Sequence, residues 1–156
     1  LKIDDEGIKR QGPLIESDKG IRVSIEDERY RSFVIAKTLV SWLGNFSTCL
    51  FWVHEYGIWP SSENWHLYYK LRSAYGDRRE LNEAPGHFIL EYEKADLITL
   101  VDLAIRSGWG AHVLPAPKWT YAHLSHDGWL HIETETERER VLKDAAGLSL
   151  PIEPVG

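Results

Sequence analysis

The sequence contains no methionine and only one cysteine, Cys49. A lone thiol excludes an internal disulfide framework. Its place in the apolar run Thr48-Cys49-Leu50-Phe51-Trp52-Val53 marks it as a small buried hydrophobe, the usage expected in a reducing compartment. Long apolar stretches are also missing. The longest uncharged run covers residues 38–53, is broken by Gly44 and Asn45, and falls short of the roughly 20 residues that cross a bilayer as a helix. Basic charge is scarce, with 18 Lys and Arg against 24 Asp and Glu and a net charge of -6. That balance opposes attraction to phosphate, so direct binding of nucleic acid is not expected. There is no glycine-rich phosphate loop, paired Cys-x-x-Cys, His-Glu-x-x-His or nucleophile elbow, so the commonest enzyme classes and cofactors gain no support. The first residues carry no basic, apolar and small-residue leader pattern, and a cytoplasmic location is the expectation.

What is present suits one globular domain. A chain of 156 residues, 43% hydrophobic and 27% charged, can bury a single core. Residues 1–20 are charged and punctuated by Gly7, Gly12, Pro13 and Gly20, which predicts a flexible tail; the domain is expected over 21–147, with a second tail over 148–156. Ser24 followed by Asp27 predicts a helix start, with Tyr30, Phe33, Val34, Val40 and Leu43 at helical spacing and a stop at Gly44-Asn45. Residues 48–59, rich in aromatic and β-branched side chains, predict a central strand. Pro60-Ser61-Ser62-Glu63 predicts a capped helix start, and that helix is expected to run to Ala74.

Residues 87–93 alternate as a second strand, and 95–107 form a helix whose Leu97, Leu100, Val101, Ala104 and Ile105 make one stripe ended by Gly108. Residues 109–114 predict a third strand, and 119–132 a hairpin turning at Asp127-Gly128. A solvated helix carrying Glu139 and Lys143 ends at Gly147. The order predicts an α+β single domain, a central sheet of four to five strands with helices packed on it.

The segment from His54 through Trp59-Pro60-Ser61-Ser62-Glu63-Asn64-Trp65-His66-Leu67-Tyr68-Tyr69, taken with Ala84-Pro85-Gly86-His87 and Ser125-His126-Asp127, resembles a group of small bacterial proteins of unassigned function. The resemblance spans residues 48–131 and implies no catalytic residue, ligand or activity. From the residues themselves, Ser61 and Ser62 at a helix start could hold an anion, although Glu63 already satisfies that positive end. His54 and Glu55 are neighbours on a strand and should point to opposite faces. His54, Glu55, His66, His87 and Glu91 would suit general acid and base work if their elements were neighbours.

Among seven histidines, His123, His126 and His131 lie closest in sequence. In a hairpin with a two-residue turn at Asp127-Gly128, His126 and His131 share one face while His123 takes the other, so no metal site is expected from this set. Ser125 and Asp127 read as turn formers. Of the seven tryptophans, Trp59, Trp119 and Trp129 stand beside turn residues, where an aromatic can anchor an interface. Acidic charge and aromatic anchors point to a non-enzymatic module that binds a protein partner, with an immunity-type inhibitor of a toxin as the example. A small hydrolase or nucleotide-processing enzyme, or a structural assembly subunit, are the alternatives.

Overall fold

The computed structural model describes residues 20–55, 69, 70, 73, 74, 76, 78, 86–117, 120–134 and 136–154. Strand β1 (Ile21–Ser24) is followed by a 3-10 turn at Arg29–Arg31 and helix α1 (Ser32–Trp42). Strands β2 (Thr48–Glu55) and β3 (Gly86–Leu90) precede helix α2 (Lys94–Ser107). Then come β4 (Gly110–Ala116), β5 (Thr120–Leu124), β6 (Trp129–Thr134), helix α3 (Arg138–Gly147) and the short strand β7 (Ile152–Pro154). The strands form one sheet in the order β3-β2-β4-β5-β6-β1-β7, antiparallel at every pairing.

The α+β class is as read from the sequence, but the sheet has seven strands among the described residues rather than four or five. The additional pair is β1 and β7. The first begins where a tail was expected to end, and the second falls inside the segment 148–156, also expected as a tail. β1 therefore carries the C-terminal segment into the sheet, and the folded unit reaches Pro154. The first helix starts at Ser32 and not near Ser24, because Ser24 pairs with Trp129 in the sheet. The helix expected over 61–74 lies mostly outside the described residues. Within the described part, residues 69–70 and 73–74 are helical.

Alternation gives the sheet two unlike faces. Cys49, Phe51 and Val53 of β2, Ile89 of β3, Ala111 and Val113 of β4, and Ala122 and Leu124 of β5 are buried on one side. Leu130 and Ile132 of β6 and Ile21 and Val23 of β1 complete that side. They join Ile35, Leu39 and Val40 of α1, Leu97, Leu100 and Val101 of α2 and Val141 and Ala145 of α3 in a single core. The described helices therefore share one face of the sheet, as a half-buried antiparallel sheet requires. Asp102 of α2 is buried and accepts a 2.6 Å hydrogen bond from Ser32 Oγ, while Trp42 Nε1 donates to Asp144 Oδ2 at 3.0 Å. These bonds tie α1 to α2 and to α3. β2 is an inner strand, paired with β3 on one side and β4 on the other, although it stands second from the edge.

Candidate metal centre

The second face of the sheet carries the polar chemistry. Cross-strand register sets Gly86, Trp52, His112, His123, His131, Arg22 and Glu153 side by side in one row across six neighbouring pairings. Side chains in one row project to the same side, with adjacent Cβ atoms about 4.5–5.5 Å apart. His54 enters the row from above. The register shifts between Val53 and Glu55, so both His54 and Glu55 face Gly110 of β4. A bulge of this kind re-aims a side chain. Gly110 lets the bulge work, because a Cβ there would lie 2.8 Å from His54 Cε1 and 2.9 Å from His54 Nε2.

The result is a triangle of imidazoles drawn from three adjacent strands. One ring nitrogen each from His54, His112 and His123 lies within 4.8 Å of the others. His54 Nε2 and His123 Nε2 are 3.0 Å apart. That is a hydrogen bond between one N–H and one lone pair, and its length also falls within the roughly 2.9–3.4 Å that would separate two imidazole nitrogens on one zinc ion at about 2.0–2.1 Å, so an ion could take the place of the shared proton. His112 stacks on His123 with centroids 4.6 Å apart and lies 4.5 Å from the His54 ring. The rings of His112 and His123 lie only 19° from parallel, so directing both lone pairs to one ion would require the His123 ring to turn about χ2.

Burial keeps these imidazoles neutral. Burial lowers the pKa of His112 from 6.5 to about 3, assisted by His54 and His123 nearby, and that of His123 from 6.5 to about 4. Burial also lowers His54 and His131, Glu55 partly opposing the shift at His54. A neutral imidazole is the form that binds a metal ion. The same shifts set the acid response of the fold. Between pH 6.5 and about 3–4 the unfolded chain binds more protons at His112 and His123 than the folded chain does. Stability present above pH 6.5 is therefore lost as pH falls through about 4 and then about 3. Urea melts of chelator-treated protein from pH 7 to pH 3.5 should show this decline, and His112→Gln should flatten part of it. An equal slope in the variant would remove His112 as a source.

The sequence-predicted site residues are scattered. His54 sits in the triangle. Glu55 instead pairs with His126, Oε2 to Nδ1 at 2.8 Å, and His126 Nε2 reaches Asp127 Oδ1 at 3.0 Å. His87 is opposite Phe51 in register and so is buried on the helix side, away from His54. Glu91 is exposed in the 3-10 turn that follows β3. Trp129 is half-buried with the Arg22 guanidinium 4.0 Å over its ring. His66, Trp59, Ser61, Ser62 and Trp119 lie outside the described residues.

Ser125 does form the turn, its Oγ accepting from the Asp127 backbone N–H at 3.2 Å. The faces assigned to that hairpin need correction. A two-residue turn at Asp127-Gly128 would place His123 opposite Ile132, whereas the structure places it opposite His131. A one-residue change of register moves every side chain to the other face. His123 and His131 thus share a face, yet His131 does not join the triangle: its ring is stacked over Gly20, where a Cβ would come within 2.3 Å of Nε2.

His112 was missed altogether. A signal for it exists, because a hairpin centred between Pro117 and Lys118 brings His112 opposite His123, as observed. Comparison with protein families, with curated proteins and with solved structures gives no match for the chain.

Proposed function

We propose that this protein binds one first-row transition-metal ion, zinc foremost, through His54, His112 and His123, and uses it to activate water for hydrolytic chemistry. The convergence of three imidazole nitrogens within 4.8 Å carries the reading. Imidazole suits zinc, copper, iron and nickel, and three protein nitrogens with water in the fourth place is the arrangement of catalytic zinc sites. Three neutral ligands leave the ion its full double charge. Held by these residues, the ion would supply Lewis-acid chemistry, lowering the pKa of a water molecule towards about 7. Trp52, whose ring centroid lies 5.7 Å from that of His112, borders the centre on the side of β3.

Equilibrium dialysis of the chelator-treated protein tests the reading. One zinc per chain with a dissociation constant below about 1 µM is expected. Binding no tighter than to a histidine-poor control protein would overturn it.

A second reading, a module of the bacterial cytosol that binds a protein partner in the manner of an immunity inhibitor, draws support from one observation. Tyr30, Phe33, Phe88 and Tyr92 are all more than half exposed, at 80%, 58%, 74% and 81%. Aromatic side chains left in water are the usual anchors of protein interfaces.

A further inference from the structure

We propose that Tyr121 is the positioning residue of this centre: its hydroxyl accepts the Nδ1–H of His112 and so commits Nε2 of His112 to the metal. The inference rests on the metal reading above and adds to it which nitrogen binds and what holds it there.

Tyr121 sits two residues before His123 on β5, on the same face, and diagonal to His112 of β4 across the pair His112–His123. A diagonal neighbour is within reach of a long aromatic side chain. The phenol uses that reach, with the Tyr121 hydroxyl and His112 Nδ1 in a short hydrogen bond. Only 1% of Tyr121 and 6% of His112 are exposed, so bulk water does not compete for that contact. On its other side, Glu133 of β6 stands opposite Tyr121 in register. Strand β5 therefore supplies one ligand, His123, and orients a second ligand on the neighbouring strand.

The chemistry of imidazole makes the contact directional. A neutral histidine carries one N–H and one lone pair. If the Tyr121 O–H donated to Nδ1, the proton would sit on Nε2 and that nitrogen could not bind a cation. If Nδ1–H donates to the Tyr121 oxygen, Nε2 presents its lone pair to the ion. The other ring nitrogen of a metal-bound histidine commonly donates to an oxygen acceptor, and loss of such partners typically weakens metal binding about 10- to 100-fold.

Tyr121→Phe removes the acceptor and keeps the ring. Zinc competition against a chromophoric chelator should show affinity about 10- to 100-fold weaker than wild type, with circular dichroism of the zinc-free variant unchanged. A purely structural role would not alter the ring chemistry of His112. Long-range ¹H–¹⁵N spectra of zinc-loaded wild type should therefore show His112 protonated at Nδ1 and metal-bound at Nε2. This second measurement needs no variant, so it stands even if Tyr121→Phe fails to fold. Equal zinc affinity in a folded Tyr121→Phe, or zinc on Nδ1 of His112, overturns the role of Tyr121 and leaves the metal site in place. Wild-type protein that takes up no zinc overturns both.

Discussion

Replacing His123 by alanine is expected to weaken zinc binding by more than about 100-fold, beyond the range typical for partners that only orient a ligand. His123 closes the arrangement from β5: its Nε2 is 3.0 Å from His54 Nε2, and its ring stacks against His112 at 4.6 Å. Removing it leaves two imidazoles on β2 and β4 with nothing on β5 to close the triangle. The matching control is His131→Ala. His131 is the cross-strand neighbour of His123, and burial lowers its pKa in the same direction, yet its ring lies over Gly20. Its loss should change zinc affinity by less than about 3-fold, a small fraction of a first-ligand effect. Calorimetric titration of the two variants separates a specific centre from a merely histidine-rich surface. Similar losses in both, or in neither, would count against the triangle.

The second large effect is expected at a residue with no side chain. Gly110→Ala places a methyl group 2.8 Å from His54 Cε1 and 3.0 Å from Glu55 Cβ. Backbone strain is not the issue, since Gly110 is absent from the positions with positive φ. The contact with Glu55 Cβ must be relieved by a small backbone shift at the bulge, and the contact with His54 by turning away its mobile ring. Once turned away, it no longer faces His123. Zinc affinity should fall about 10- to 100-fold or more, while the zinc-free protein loses about 1–3 kcal/mol of stability in urea melts. An alanine variant that binds zinc like wild type would show that the bulge at His54 has room to spare.

The sequence was most informative where one element explains its own pattern. The stripe Leu97, Leu100, Val101, Ala104 and Ile105 and the stop at Gly108 reappear in α2, with Gly108 left-handed at φ 64°. The alternation hidden in the apolar β2 emerges as Cys49, Phe51 and Val53 inward. β1 and β7 are four and three residues long, too short for alternation to stand out, and each gains its place only from partners distant in sequence.

The site was legible only in fragments, for the same reason. The sequence shows His54 beside Glu55, and it shows His123 close to His126 and His131, but it does not show that His54, His112 and His123 meet. The cluster of His54, His112 and His123 needs β2 beside β4 and β4 beside β5, which is information about strand order. It also needs the hairpin register to within one residue, since that alone decides whether His123 faces His112 or the core. His87 shows the same sensitivity: on an edge strand next to β2, its pairing with Phe51 and not with Trp52 sends it to the helix side.

The most direct measurement is anomalous diffraction at the zinc edge from crystals grown or soaked with zinc. One strong peak is expected on the face of the sheet opposite the helices, about 2.0–2.1 Å from a nitrogen of each of His54, His112 and His123. A peak held by His126 with Glu55 and Asp127 instead, or no peak at the three histidines in crystals saturated with zinc, would contradict it.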